Sequence, residues 1–201
     1  MNCPNCGSAL IDSFVSAKMT TCESCETTLF LDGQQMAMAG KSGVMHDIPQ
    51  LFHLGEAAIV DDDEYQIVGH ARFEYGPGSW DEYWALDENG TGRWISVDEG
   101  IVILQKRVSS DGLPAFNQKP KLGETFRAFG DTYRVTEVDQ GICVALRGSF
   151  PKVMTLGETF EYVNCLDEYD EQLSGEFSGG EVDWFRGVWC DPFEVRVVSG
   201  P

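Results

Sequence analysis

Four cysteines near the start of the chain have the residue type and the spacing of a zinc ribbon. Cys3 and Cys6 form one C-x-x-C pair, Cys22 and Cys25 form a second, and fifteen residues lie between Cys6 and Cys22. Two residues between paired cysteines let both thiolates reach one Zn²⁺ ion, which prefers a tetrahedron of such ligands. Because four protein ligands leave no open coordination position, the pattern predicts a structural Zn²⁺ site. Gly7 follows the first pair, where the turn favours a positive φ.

Two other interpretations of these cysteines are a pair of disulfides and a redox-active C-x-x-C motif. Disulfides require an oxidising compartment, and the opening Met1-Asn2-Cys3-Pro4 has neither the basic region nor the apolar stretch of a secretory signal. A thioredoxin-like motif follows a strand in a βαβ unit, and the sequence before Cys3 is too short for one. The spacing therefore favours zinc, and we expect a cytoplasmic protein.

The charge balance narrows the class of partner. The 201 residues include 14 Lys and Arg against 33 Asp and Glu, a net charge of −19. Nucleic-acid affinity comes largely from basic side chains that neutralise phosphates, so we expect no nucleic-acid binding. An acidic surface disfavours anionic membranes, and no apolar run approaches the roughly 20 residues that span a bilayer. The charge favours a basic protein, metal ions or polyamines as partners, although it could serve solubility alone.

A repeated phrase indicates a duplicated β unit. Leu54-Gly55-Glu56 and Leu122-Gly123-Glu124 are each followed by a tyrosine eleven residues after the leucine, and Leu156-Gly157-Glu158 is a third copy. In the first two copies the pattern is strand, tight turn, strand, which is typical of the opening of a small SH3-like barrel. Helical periodicity of useful length is absent from the sequence.

The sequence therefore predicts a mainly β protein with a four-cysteine zinc ribbon followed by two small antiparallel SH3-like β-barrels, or by one fused β-sandwich. The predicted boundaries are a zinc ribbon at 1–32, a linker at 33–50, a first barrel unit at 51–108, a linker at 109–121 and a second barrel unit at 122–201.

The segment from Trp80 to Trp84 combines aromatic rings with carboxylates, which together suit a cationic amine through cation–π attraction and ion pairing. The candidate ligand-binding or partner-binding residues are Trp80, Asp81, Glu82, Tyr83, Trp84 and Trp94. Strand alternation offers a simpler interpretation, because it places the tryptophans on one face, where they usually form core.

Other conspicuous side chains give weaker signals. The histidines, His46, His53 and His70, do not lie on a common element, so a second metal site is not favoured. Cys143, Cys165 and Cys190 lack ligand spacing and are expected to be buried free thiols. No nucleophile elbow, Walker loop or dinucleotide fingerprint occurs, so the sequence names no catalytic residue.

Several motifs resemble one protein family. They are Cys3-Pro4-Asn5-Cys6-Gly7, Gly69-His70-Ala71, Trp80-Asp81-Glu82-Tyr83, Arg93-Trp94-Ile95-Ser96 and Gly148-Ser149-Phe150-Pro151. Together they resemble an uncharacterised bacterial family, the domain of unknown function numbered four-one-seven-eight. Ile95 stands where that family usually has leucine, and Ser149-Phe150 departs from its usual turn. The resemblance covers nearly the whole chain and implies no established activity. It implies a genomic context of polyamine-synthesis and membrane-stress genes.

These observations support three hypotheses of function. The first is a non-enzymatic adaptor, stabilised by Zn²⁺, that docks a basic protein through an acidic β-rich surface. The second is a binding module for polyamines or other small cations that uses the Trp80–Trp84 segment. The third is an enzyme subunit whose site forms only with a partner.

Overall fold

The computed structural model describes residues 1–10, 17–32, 35–41, 49–116, 120–178 and 181–198. Within these ranges the chain forms fourteen β-strands and no helix. The strands are β1 (Met19–Thr21), β2 (Thr27–Asp32), β3 (Gln35–Lys41), β4 (Ala57–Val60), β5 (Asp63–Tyr75), β6 (Gly78–Leu86), β7 (Gly92–Asp98), β8 (Ile101–Val108), β9 (Thr125–Ala128), β10 (Asp131–Phe150), β11 (Thr159–Leu166), β12 (Gln172–Ser178), β13 (Glu181–Cys190) and β14 (Arg196–Val198). The described residues accordingly include no helix that is long and apolar enough to cross a membrane.

Eight strands close into one antiparallel barrel in the order β5-β6-β7-β8-β13-β12-β11-β10, with β10 pairing back onto β5. Four of these strands come from the first repeated unit and four from the second. The units are joined where β8 pairs with β13 and where β10 pairs with β5. The prediction of a mainly β fold is confirmed, and the two units form the two halves of a single closed barrel.

The repeated Leu-Gly-Glu phrase forms the same turn in both units. The amide of Gly55 donates to the carbonyl of Ile67 at 2.9 Å, and the amide of Gly123 donates to the carbonyl of Val135 at 2.8 Å. Both glycines have positive φ, 83° and 81°, a conformation that glycine adopts without steric cost. Each turn leads into a short strand, β4 or β9, that pairs with the long strand of its own unit.

Each unit has an apolar cluster of its own on one face of the barrel wall. The first cluster includes Tyr65, Ile67, Tyr83, Ile95 and Val102. The second includes Tyr133, Val135, Val163, Leu173 and Trp184. The other face of the wall points into the barrel, since the rings of Trp80 on β6 and Tyr162 on β11, two strands that are not neighbours, lie 5.7 Å apart. Alternation along each strand thus separates two outer cores from one shared interior.

The cysteine-bearing segment is joined to the barrel by strand pairing. Strand β1 pairs with the end of β10 through Met19 and Phe150 and through Thr20 and Ser149. Met19 is fully buried in the interior cluster that also contains Phe150. Strand β3, which pairs with β2, lies inside the segment predicted as a linker at 33–50. The N-terminal module is therefore an extension of the barrel sheet.

Candidate metal centre and central cavity

The structure brings the four predicted metal ligands together. The Sγ atoms of Cys3, Cys6, Cys22 and Cys25 all lie within 4.8 Å of one another. The distances Cys3–Cys25 and Cys6–Cys22 are both 3.7 Å. Four thiolates at ~2.3 Å from a Zn²⁺ ion would be about 3.8 Å apart, whereas a disulfide needs ~2.05 Å. The cluster therefore has the geometry of a four-thiolate metal site, and none of the described cysteines forms a disulfide.

Two turns of the same construction hold these thiols. The amide of Gly7 donates to the carbonyl of Cys3, and the amide of Glu26 donates to the carbonyl of Cys22, each at 2.8 Å. Gly7 has the predicted positive φ, 77°, and Glu26 occupies the equivalent position with a φ of 56°. Residues other than glycine are disfavoured at positive φ, which indicates that the surrounding turn imposes this conformation on Glu26.

The surroundings of Cys25 and Cys22 shift the pKa values of the two thiols in opposite directions. The side-chain Nδ2 of Asn5 donates to Thr27 Oγ1 at 2.8 Å and to Cys25 Sγ at 3.5 Å. Hydrogen bonding with the Thr27 hydroxyl lowers the pKa of Cys25 to about 6. Burial raises the pKa of Cys22 to about 11. A metal cation would supply the charge that a thiolate at the buried Cys22 position requires.

The second candidate site is a cavity of about 190 Å³ inside the barrel, lined from seven of its eight strands. Four half-buried carboxylates face it: Glu82, Asp98, Glu137 and Glu176. Aromatic rings complete the wall: Trp80, Phe160, Tyr162 and Trp189. Neither lysine nor arginine is among the described residues that line this cavity. The cavity therefore concentrates negative charge against aromatic faces.

Burial raises the pKa of two of these carboxyl groups. It raises the pKa of Glu82 to about 7, and the negative charge of Glu176 adds to the shift. Burial also raises the pKa of Asp98. Trp80 Nε1 donates to Glu82 Oε1 at 3.1 Å, so the indole orients the carboxylate. Such carboxylates would be stabilised by a cation placed among them.

Glu137 is held differently, by donors from the neighbouring strand. The hydroxyl of Tyr162 donates to its Oε1 at 3.0 Å, and Asn164 Nδ2 donates to its Oε2 at 2.8 Å. The amide of Gln172 and the hydroxyl of Ser174 extend this network along β12. These bonds fix the positions of the polar groups before any ligand enters.

The predicted ligand-binding residues separate by strand alternation. Trp80 and Glu82 line the cavity. Trp84 and Trp94 are cross-strand partners with ring centroids 5.0 Å apart, and Trp94 belongs to the interior cluster. Asp81 and Tyr83 point to the opposite face of β6. The structure therefore brings four of the six candidates to the barrel interior and places the other two elsewhere.

Asp81 and Tyr83 belong to a buried polar cluster with His70 and Arg72. Asp81 Oδ1 accepts from His70 Nε2 at 2.7 Å and from Arg72 Nε at 2.8 Å, and Oδ2 accepts from Arg72 Nη2 at 2.7 Å. Burial opposes ionisation of Asp81, but the bonds from His70 and Arg72 outweigh it and lower the pKa of Asp81. The His70 ring also stacks on Tyr83 with centroids 4.4 Å apart. These contacts join the side chains of β5 and β6 near the β5–β10 pairing that closes the barrel.

The remaining sequence signals fall outside both sites. His70 is engaged by Asp81, His53 lies before β4, and His46 lies outside the described residues. Across the described ranges, no second group of histidine, cysteine or carboxylate ligands comes close enough to hold a metal ion. Cys143 and Cys165 are buried, and Cys190 is half-buried.

The sequence patterns did not identify four of the cavity-lining residues: Asp98, Glu137, Glu176 and Trp189. They belong to strands in which polar and apolar residues alternate, and a polar face is ordinarily expected to face water. In the closed barrel that polar face lines the interior. The sequence feature that could have indicated an interior face is the presence of tryptophan, tyrosine and phenylalanine among these polar residues.

The fold and the two sites define a class: an all-β protein in which a four-cysteine module extends an eight-stranded barrel with an acidic interior. The chain belongs to the family described as a domain of unknown function (DUF4178), whose sequence model matches residues 53–192. The match spans β4 to β13 and confirms the resemblance carried by the motifs between Gly69 and Pro151. No curated protein and no solved structure matches the chain.

Two of the shared motifs explain how the barrel closes. Gly69 pairs with Gly148 where β5 meets β10. A Cβ atom on Gly148 would lie 2.2 Å from the carbonyl oxygen of Val68, and one on Gly69 would lie 2.4 Å from that of Ser149. Glycine is required at both positions because the strands approach too closely for a side chain.

Proposed function

We propose that this protein binds an organic cation with several amino groups, of the polyamine class, in the central cavity of its barrel. The observation that carries the proposal is the convergence of Glu82, Asp98, Glu137 and Glu176 on a space walled by aromatic rings. Partly buried carboxylates lose hydration that an ammonium group can replace. Aromatic faces add cation–π attraction, which is strongest where water is excluded.

The shape of the site restricts the ligand further. A cavity of about 190 Å³ admits a small organic molecule rather than a folded protein segment. Its carboxylates come from different strands, so a linear amine with separated charges fits them better than a compact monovalent ion. Hydrogen-bonded side chains such as Glu137 and Asn164 hold the cavity in shape, which reduces the entropic cost of binding.

We further propose that the four-cysteine cluster binds Zn²⁺ as a structural ion. The distances between Sγ atoms support a tetrahedral thiolate site, and four protein ligands leave no position for a substrate. The role follows from the position of the module, because its β1 strand places Met19 in the barrel interior. The metal would thereby stabilise one end of the cation-binding barrel.

A second candidate function is the docking of a basic protein. A surface depression of about 500 Å³ is lined by Asp61, Asp62, Asp191 and Glu194 together with Trp189 and Phe193. Phe193 is 93% exposed, and an exposed aromatic ring within an acidic surface suits a basic, partly apolar segment. Purified protein with Phe193→Ala should lose a partner that the wild type retains at moderate salt, and equal retention would contradict this docking surface.

Removing the negative charge of Glu82 should weaken the binding of an organic cation in the central cavity. Calorimetric titration with spermidine at pH 8 and low ionic strength should give saturable binding to the wild type. Glu82→Gln keeps the shape of the side chain and its hydrogen bond from Trp80 but removes the charge, so affinity should fall by about tenfold or more. Glu74→Gln, at an exposed position on the same sheet, is the matched control and should stay within twofold. Absence of wild-type binding, or equal losses in both variants, would refute the proposal.

The pH dependence of the same binding tests the assignment to Glu82. With its pKa near 7, this carboxyl is largely neutral at pH 6 and largely ionised at pH 8. Affinity for spermidine should therefore rise between these values, and binding near pH 7 should release a proton. The Glu82→Gln variant should show a flatter profile. A wild-type affinity that is unchanged or higher at pH 6 would show that another group governs binding.

A further inference from the structure

A lysine of the chain itself occupies a cation-binding cage next to the central cavity. The Nζ atom of Lys152 pairs with the carboxylate of Glu176. It also lies 5.7 Å from the ring centroid of Trp94 and 5.6 Å from that of Phe185. Cations within about 6 Å of an aromatic centroid are attracted by the ring. We call this group of Trp94, Phe185 and Glu176 the ammonium cage.

The cage is a built feature of the barrel. Trp94 on β7 is 6% exposed and Phe185 on β13 is 4% exposed, so packing fixes both rings. Glu176 lies on β12 and lines the central cavity as well. The three cage residues therefore come from three different strands, and each is positioned by sheet structure rather than by a loop.

Lys152, in contrast, is attached to an irregular segment. It follows β10 by two residues and belongs to no strand, and its side chain is 35% exposed. Its ammonium can withdraw into water without breaking a strand pair. Such partly exposed ion pairs contribute little to stability, so the lysine can be displaced.

The cage adjoins the central cavity and a further, larger cavity, and a narrow gap surrounds Lys152 itself. A narrow gap around Lys152 is lined by Phe73, Glu82, Trp94 and Glu176, among others. Glu82 and Glu176 are shared with the central cavity. Lys152 and Glu176 also line a further cavity of about 330 Å³, together with Glu158 and Phe160. Because Glu176 lines the gap and both cavities, the cage is continuous with the central carboxylates.

We propose that the ammonium cage is a primary-amine subsite that Lys152 fills in the ligand-free protein and that one end of a linear polyamine takes over on binding. This inference rests on the proposed function and specifies how the ligand is selected. A lysine side chain is an alkylammonium group on a four-carbon stem, so the chain itself shows which chemistry the cage accepts. The tethered lysine has a high effective concentration, so a monoamine competes poorly. A polyamine competes because its other ammonium groups bind the central cavity.

The test is chemical complementation of Lys152→Ala with n-butylamine, which has the four-carbon stem and the ammonium group of a lysine side chain. Tryptophan fluorescence and calorimetry should show n-butylamine binding the variant at least tenfold more tightly than the wild type. 1-Butanol, which has the same stem without the charge, should show no such gain. The double variant Lys152→Ala, Glu176→Gln should lose it. Lys121→Ala removes an exposed lysine and should behave like the wild type. Equal binding of n-butylamine to Lys152→Ala and wild type would overturn the inference.

A second measurement uses the wild type alone and so does not depend on the folding of a variant. Acetylation of Lys152 by an amine-reactive reagent, measured by mass spectrometry relative to Lys121, should increase at least threefold when spermidine is present. An unchanged or reduced ratio, under conditions where spermidine binds, would overturn the displacement of Lys152.

The two proposals fail in different ways. If spermidine binds neither protein while n-butylamine binds Lys152→Ala, the proposed function is wrong and the cage stands. If spermidine binds the wild type and Lys152→Ala equally and n-butylamine shows no preference, the cage assignment is wrong and the proposed function stands.

Discussion

Replacing Cys22 with serine is expected to abolish stoichiometric metal binding and to unfold the N-terminal module. Cys22 is the most deeply buried of the four thiols, at 1% exposure, and a serine hydroxyl does not supply the thiolate that Zn²⁺ requires. A structural zinc site contributes on the order of 10 kcal/mol to the folding of a small module. Metal analysis should therefore fall from one ion per chain to near zero.

The effect of this substitution should reach the barrel. Met19 is buried against Phe150, and withdrawal of a buried methionine from a core costs about 2 to 5 kcal/mol. The barrel should stay folded on its own two clusters but melt at a lower temperature. Cys190→Ser makes the same chemical change at a cysteine outside the cluster and should retain the metal. One ion per chain in Cys22→Ser would contradict the ligand assignment.

Asp81→Asn is expected to cause a large loss of stability by breaking a buried ion pair in the barrel wall. The substitution replaces one acceptor oxygen with an amide donor that faces the donors of Arg72 and His70. Arg72 is 5% exposed, and its Nη1 already lacks a hydrogen-bond partner among the described residues. Breaking a buried pair from one side costs about 3 to 5 kcal/mol. Chemical denaturation at pH 7 should show a loss of this size.

The control for Asp81 is an ion pair with the same chemistry on the surface. Asp183 pairs with Arg107, whose side chain is 69% exposed, so Asp183→Asn should cost less than about 1 kcal/mol. The pKa of Asp81 is lowered in the folded state. Its stabilisation is therefore present above the pKa of an unfolded aspartate and is lost as the pH falls through the folded value. Similar losses for both substitutions at pH 7 would contradict a structural role for the buried cluster.

Local features of this fold could be predicted from the sequence because their causes are local. The spacing of Cys3, Cys6, Cys22 and Cys25 determines which thiols can meet, and the structure brings the same four together. The turn at Gly55 depends on a hydrogen bond to a residue twelve positions away, so its repetition at Gly123 was visible as a repeated phrase.

The closure of the barrel depends on contacts that no local pattern contains. Strand β8 pairs with β13 across more than seventy residues, as Val108 does with Trp184. A period of two identifies a strand but does not identify its neighbour. The same limit applies within the segment predicted as a linker, where β3 pairs with β2.

Only part of the proposed cation site could be predicted from the sequence, for a related reason. Trp80 and Glu82 stood out because aromatic and acidic residues are adjacent in one short segment. Asp98, Glu137 and Glu176 join them only because three other strands of the closed barrel turn their polar faces inward. The functional meaning of these residues therefore depends on topology rather than on any motif.

The most direct test of the proposed cation binding is a crystal structure of the protein grown with spermidine at pH 8. The account predicts an extended amine inside the barrel, with one ammonium group at hydrogen-bonding distance from Glu82. Spermidine bound only at carboxylates on the outer surface, with the central cavity filled by ordered water, would contradict it.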